Sequence, residues 1–301
     1  MQIKHLLLGV VFAIIWSSAF PSAKVAVQYA HPFFILFLRF FFSGLLAVAI
    51  AKALGQKISF NKKDWLSIVA FGILQNSIYL GLIFLAVTKI EANVSVIFAS
   101  ILPLTVALFS WLFFNSKISI LGIAGLLLGF SGVLVIMYQR AQSGSELIGI
   151  FLCFIALLAT TIATLILSKI NIKKENILMI VGLQMIVGCI TLLPFSYFFE
   201  DWIIKWHVNF VLTFTYLSLF PGIIAPLIWF YLQKEIGTLR FSSFHFLNPI
   251  FGVFLSFLLL SEKLSFFDFI GIAVVTFGLY LVQIAKSGSV PDHNDKNSSK
   301  I

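Results

Sequence analysis

The sequence predicts an all-α membrane protein: ten transmembrane helices arranged as two inverted five-helix repeats. Three observations predict it. The first is composition. Of 301 residues, 60% are hydrophobic and 10% are charged, and mean hydropathy is +1.08. A water-soluble domain carries roughly 25% charged residues, because its surface must be solvated. Most of this chain therefore has lipid as its solvent. The second is run length: the apolar runs mostly have the ~20 residues that a hydrocarbon core of about 30 Å requires. The third is duplication. Residues 90–136 recur, 146 positions later, as 236–282, so that Phe98 falls on Phe244, Pro103 on Pro249, Gly125 on Gly271 and Gly132 on Gly278. Each copy has an apolar helix carrying a proline, then a polar break with Lys117 or Lys263, then a helix with glycines seven apart. Self-similarity in this register points to two halves of about 145 residues.

In order, the expected helices are 5–23, 33–51, 66–87, 92–114, 119–138, 147–168, 177–198, 209–232, 239–260 and 266–285, with Gly, Asn, Ser, Lys or Pro at the breaks. The first run has the outline of a signal peptide: Lys4, an apolar stretch, then small residues near Ala19 to Ala23. It is expected to be retained, because the repeat needs a partner for the helix near Phe151. The repeats then occupy 1–140 and 141–286. Residues 287–301 are polar and contain Pro, Ser and Asn, so they read as a disordered cytoplasmic tail. Cys153 and Cys189 lie in apolar runs and read as small hydrophobes, not as a disulfide or a metal pair.

The net charge of +9 does not point to nucleic acid, since no basic cluster sits on a soluble domain. The positive-inside rule accounts for it. With a cytoplasmic N-terminus, fourteen Lys and Arg fall on the inner side and five on the outer, Arg39 being set aside within the second helix. Both chain ends are expected inside, in the cell (inner) membrane. Five helices per half is an odd number, so the second half must enter from the opposite side. Inverted repeats of this kind are found in many secondary transporters, with the site near the midplane between the halves.

The chain resembles the ten-helix EamA-type transporters of the drug/metabolite transporter superfamily. The residues that carry the resemblance are WSSAFPSAK at 16–24, LRF at 38–40 and the two Pro…Lys…Gly…Gly stretches, and it spans about 5–285. One departure concerns the family's Glu before the basic residue after helices four and nine: Glu262 precedes Lys263, but Ser116 precedes Lys117. The resemblance implies transport of small metabolites such as amino acids or nucleosides, with no cofactor, and a first helix close to the pathway.

A polar side chain in mid-membrane must find a partner or line a wet cavity. Arg39 lies about 9 Å inside its helix if Phe33 starts it. It either faces the cavity and attracts an anionic group, or snorkels to a helix end. Gln75, Asn76 and Tyr79 are spaced to share a helix face, for substrate contact or for interhelical packing. His245 and Asn248 precede Pro249, which removes the usual i+4 donor from the His245 carbonyl. Their counterparts are Ala99 and Leu102 before Pro103, so the proline reads as architecture and the polar pair as a specialisation. Trp16, Phe20 and Pro21 make an aromatic, kinked stretch. Thr161, Gln184 and Trp229 complete the candidate binding set, and Pro21, Pro103, Pro226 and Pro249 are candidate hinges. All eleven acids fall in loops, helix ends or the tail, so transport is expected to be uncoupled exchange or coupled through His245. The competing classes are an intramembrane enzyme and a non-transporting scaffold or sensor. No H-E-x-x-H, G-x-S-x-G or P-loop supports an enzyme or an ATP-driven pump. The cluster Asp292-His293-Asn294-Asp295 lies in the flexible tail and is not expected to hold a metal. Oligomeric state is not legible.

Overall fold

The computed structural model describes residues 2–114, 118–140, 146–168, 176–260 and 265–285. Ser116, Lys117, Glu262, Lys263 and the tail lie outside the described residues. No strand occurs among those described. In chain order the helices are α1 (Ile3–Ala26), α2 (Pro32–Ala53), α3 (Lys62–Ala86), α4 (Val94–Phe114), α5 (Ile120–Arg140), α6 (Leu147–Leu167), α7 (Ile177–Phe199), α8 (Val208–Ile236), α9 (238–260) and α10 (Phe266–Ile284). Seven of these, α1 to α4 and α6 to α8, are long and apolar enough to cross a membrane, and shorter apolar stretches run over Ile120–Gly132 and Phe269–Val282. The chain is a multi-pass membrane protein.

Local chemistry sets the helix ends. Pro32 opens α2, where its missing N–H is no loss. The Glu200 carboxylate, reaching over from the end of α7, accepts from the N–H groups of Phe33 at 2.9 Å and Phe34 at 2.7 Å. Asn61 caps α3 by accepting from Asp64 N–H. Gly237, at φ +81°, turns the chain from α8 into α9, a conformation that favours glycine. Several helices outrun the sequence expectation, α3 by starting at Lys62. α1 continues to Ala26, and its Lys24 ammonium donates to the carbonyls of Val87 and Ile90, capping the end of α3. α8 continues to Ile236, carrying Gln233, Lys234 and Glu235 as its last turn.

Four helices are irregular, and α4, α8 and α9 are so where prolines in the sequence suggested bends. α3 is a π-helix over Gly72–Leu80, and α8 over Phe220–Ile224, at Pro221. α4 breaks at Ile101, just before Pro103. α9 passes from α-helix to a 3₁₀ stretch at Ser243–Leu247 and back to α at Asn248, just before Pro249. The freed His245 carbonyl is not left for a ligand: Asn248 N–H donates to it, because the tighter 3₁₀ turn supplies an i+3 donor in place of the missing i+4 one.

α1 packs against α4, α8 and α9; α2 runs along α7, and α5 along α10. The last pair meets backbone to backbone. A Cβ on Gly125 would lie 2.7 Å from the Gly278 carbonyl, and one on Gly132 would lie 2.7 Å from the Gly271 carbonyl. Phe41, Phe42, Leu45, Leu108, Trp111, Phe151, Phe254 and Phe257 stand exposed on the outside. In water such a surface would drive aggregation; against lipid tails it is solvated.

Candidate functional site

Two small cavities lie inside the bundle and share Trp16, Arg39, Leu80 and Pro221 as walls. The first is completed by Phe40, Phe71, Gln75, Asn76, Gln184, Met185, Pro226 and Trp229. The second is completed by Ala19, Phe20, Ala23, Tyr79, Ile83 and Phe84. The walls thus come from α1, α2, α3, α7 and α8.

α1 brings Trp16 to the centre, nearly parallel to Tyr79 (centroids 6.2 Å apart, 10° between planes) and edge-on to Trp229 at 5.1 Å. Phe71 packs edge-on to Trp229 at 5.8 Å. The Trp229 indole N–H donates to Gln233 Oε1 at 2.8 Å, and Gln233 Nε2 donates to the Thr164 carbonyl at 2.7 Å. That chain fixes the Trp229 ring on α8 against α6.

The π-helical stretch of α3 carries three polar side chains inward together. Gln75, Asn76 and Tyr79 are all buried. Gln75 Oε1 accepts from Thr160 Oγ1 at 2.8 Å, while its Nε2 meets no acceptor among the described residues. Asn76 Nδ2 donates to the Gln184 carbonyl at 2.8 Å and also to Gln184 Oε1. Gly188 permits this, since a Cβ there would lie 2.6 Å from Asn76 Cβ.

Arg39 sits seven residues after Pro32, about 10 Å along α2. It is 2% exposed. Its guanidinium lies over the Phe40 ring at 5.6 Å. Its Nε and Nη1 meet no acceptor among the described residues. It does not snorkel: it borders both cavities.

Of the eleven expected contact residues, eight line this space: Trp16, Phe20, Arg39, Gln75, Asn76, Tyr79, Gln184 and Trp229. The other three do not. Thr161 Oγ1 donates to the Leu157 carbonyl at 2.7 Å and pairs with Thr105 at 2.6 Å, joining α6 to α4. His245 stands behind the tryptophan wall, with Phe12 at 5.2 Å, Phe241 at 5.8 Å and Trp16 and Trp229 each at 6.0 Å. Its Nδ1 lies 3.2 Å from the Ser242 carbonyl. Asn248 is fully buried, and neither atom of its amide finds a partner among the described residues. Of the expected hinges, Pro226 lines the first cavity and Pro21 is buried inside α1.

The apolar lining, Phe40, Phe71, Leu80 and Met185 among it, carried no signal in the sequence, because apolar residues fill every span. Gln233 did carry one. It lies four residues after Trp229, so on the same helix face, but the expected helix stopped at 232.

The family model of the EamA-like transporter family matches residues 3–138 and again residues 147–284. The Arabidopsis thaliana protein "WAT1-related protein At3g02690, chloroplastic" is 26% identical over 290 residues, covering 93% of this chain and 68% of that protein. "Uncharacterized transporter YvbV" of Bacillus subtilis (strain 168) is 25% identical over 270 residues, covering 89% and 88%. "Uncharacterized inner membrane transporter YedA" of Escherichia coli (strain K12) is 24% identical over 284 residues, covering 93% and 91%. A solved structure described as "Crystal structure of protein" shares the fold at TM-score 0.73 and 18% identity, over 94% of this chain and 98% of that one. Since the two matched stretches take in nearly all of its length, the chain belongs to the EamA-like transporter family.

Proposed function

We propose that the chain is a secondary transporter of small metabolites, with amino acids among the expected classes, working as an exporter or exchanger by alternating access in the cell (inner) membrane. The observation that carries this reading is the cavity between five apolar helices, walled in part by polar side chains that lipid could not satisfy. A scaffold needs no such space.

In this reading α5, α9 and α10 also span, giving ten helices in two inverted repeats at 1–140 and 141–286. The two-part family match supports it. So does the α5–α10 seam. Gly125 meets Gly278, the counterpart of Gly132, while Gly132 meets Gly271, the counterpart of Gly125. Reciprocal contacts of this form are what a two-fold axis generates. The helix breaks before Pro103 and Pro249 fall at matching points of the halves and serve as hinges, with Pro21 and Pro226 beside the cavity. Both termini face the cytoplasm. No carboxylate is among the described side chains lining either cavity, and His245 is packed behind the wall, which favours uncoupled exchange over proton coupling.

The test is counterflow in vesicles holding the purified full chain, with labelled amino acids, nucleosides and organic acids. Exchange of at least one class above empty vesicles is expected, at a rate flat across neutral pH and unchanged in character by His245→Phe. No exchange by any class would sink the transporter reading. Accessibility labelling that placed the two termini on opposite faces would sink the inverted repeat.

A further inference from the structure

The charge of the substrate is open in the reading above. We infer that the cavity takes an organic monoanion: a carboxylate held by the donors of Arg39 and Gln75, carried on a flat apolar body that lies among Trp16, Tyr79 and Trp229. Movement of that ligand rests on the transporter reading; its binding does not.

The argument is an inventory of donors and acceptors. Arg39 offers five N–H donors and no acceptor. It is 2% exposed, and its Nε and Nη1 meet no acceptor among the described residues. Helical backbone around it cannot help, since its carbonyls already accept along the helix. Gln75 has its oxygen engaged by Thr160, so what it has left for the cavity is the donor Nε2. Asn76 and Gln184 engage each other. Asn76 Oδ1 is left as an acceptor on the wall, but among the described residues the wall's fully buried, unengaged side-chain atoms are all donors, beside a fixed positive charge. Burying a charge and donors without acceptors is unfavourable, and a ligand that brings anionic oxygens relieves it. A cation or an acceptor-poor ligand does the opposite.

The number of charges follows from the lining. Among the described residues lining the two cavities, Arg39 is the only Lys or Arg, and there is no Asp or Glu. A phosphate dianion would carry uncompensated charge into a poorly solvated site, so a carboxylate matches better. An ammonium group would find ring faces but no acid, so an amino acid gains little from its amine. The body of the ligand follows from the rings: Trp16 and Tyr79 are nearly parallel, with Trp229 edge-on to Trp16. Planar apolar groups pack against the edges and free faces of such a cluster.

The experiment uses four probes with one phenyl body and different charge: 3-phenylpropionate, 3-phenylpropanamide, phenylethylamine and phenylalanine. They are titrated into the purified full chain, with tryptophan fluorescence and thermal stability as readouts. Phenylpropionate is expected to bind saturably and to raise Tm. The neutral amide should be weaker by about tenfold to a hundredfold, the range of one hydrogen bond to a charged group, and phenylethylamine weaker still. Phenylalanine should bind no more tightly than phenylpropionate. Arg39→Met should abolish the preference for the carboxylate over the amide, Arg39→Lys should keep part of it, and Gln75→Leu should reduce it by a few-fold. If Arg39→Met does not fold, the charge series on the unaltered chain decides alone. Equal affinity for carboxylate and amide would overturn the inference. So would a preference for phenylalanine of tenfold or more, or no response to any carboxylate from acetate to phenylpropionate at millimolar concentration. Counterflow separates the two readings. Phenylpropionate that binds but does not exchange sinks transport and leaves the anion site. Exchange of neutral solutes that is indifferent to Arg39→Met does the reverse.

Discussion

Two helix seams of this protein, α5 against α10 and α2 against α7, are built on glycine but to different tolerances. At α5–α10 a Cβ on Gly278 would lie 2.5 Å from the Gly129 nitrogen and 2.7 Å from the Gly125 carbonyl, both backbone atoms. At α2–α7 a Cβ on Gly44 would meet Ile186 Cγ1 at 3.1 Å, Met185 Cβ at 3.2 Å and the Gly182 carbonyl at 3.3 Å. The first seam is set by backbone contact, the packing favoured between helices that have no hydrophobic force to join them. The second is as tight at Gly182, where a Cβ would lie 2.6 Å from Val48 Cγ2 and 2.9 Å from the Val48 nitrogen, but at Gly44 its neighbours need give by only a few tenths of an ångström, and it borders the cavity through Arg39, Gln184 and Met185. The difference marks α5–α10 as closed by backbone along its glycines and α2–α7 as equally closed at Gly182 but able to yield at Gly44.

The sharpest way to break that contrast is to put the same kind of change on both seams. Gly278→Val should be the most damaging substitution considered, above about 4 kcal/mol, because backbone on the facing helix cannot move aside. It should be read as loss of monodisperse protein after purification. Gly44→Ala should cost about 1 kcal/mol or less and leave a protein that purifies normally, since the facing side chains can give. Equal tolerance at the two positions would remove the distinction.

The polar link beside the yielding seam comes next. Asn76→Leu removes the donor that Gln184 receives at its carbonyl and its Oε1. The expected cost is about 1–2 kcal/mol in thermal stability, the scale of interhelical hydrogen bonds in membranes. The cavity should also change, because Gln184 Oε1 would then be an unengaged acceptor facing the ligand. A variant with altered stability but unchanged ligand preference would show that this pair only packs.

The membrane character of the chain and the glycine seam were legible in the sequence for a physical reason: lipid as solvent leaves long apolar runs, and close backbone approach leaves glycines at fixed spacing. Most polar cavity residues were legible too, because Arg39, Gln75, Asn76 and Gln184 are anomalies in an apolar run. Three things were not. The π-helical turn at Gly72–Leu80 has no distinct residue signature, so a 3.6-residue wheel gave Gln75, Asn76 and Tyr79 the right general face without the right geometry. His245 and Thr161 were equally anomalous in sequence, yet their polar atoms engage nearby carbonyls, an outcome that depends on local hydrogen bonding and helix rotation rather than on residue type. Glu200 counts in the sequence only as one of the acids in loops, helix ends or the tail, and only the fold brings it to the start of α2.

Glu200 gives a prediction of about 1 kcal/mol. Glu200→Ala removes the acceptors of two helix-end donors on α2 and should lower stability by that amount, as loss of a capping side chain does. Its pH dependence has a definite sign. Burial raises the Glu200 pKa, and the N–H donors of Phe33 and Phe34, with His31 nearby, only partly counter that. A carboxyl raised in the folded state favours folding most when protonated. Its contribution is therefore full below the ordinary value of 4.5 and declines as pH climbs through the raised one. Melting curves across mildly acidic pH should show that decline in the unaltered chain and lose it in Glu200→Ala. A wild-type contribution that grew with pH would contradict the sign.

The smallest effect tests the boundary of the site itself. Thr161 is buried and polar in a spanning helix, as Gln75 is, and it neighbours Thr160, which donates to Gln75. Its own hydroxyl is turned to the Leu157 carbonyl and to Thr105 on α4. Thr161→Val keeps the shape and deletes those bonds, so it should cost about 0.6 kcal/mol, the average for such hydrogen bonds in a membrane. Substrate affinity and exchange rate should stay at wild-type values. Thr160→Val, one residue away, should free the Gln75 oxygen toward the cavity and weaken anion binding, because it places an unengaged acceptor beside Arg39. If the two threonine variants behaved alike in ligand binding, the line drawn here between cavity wall and packing would be in the wrong place.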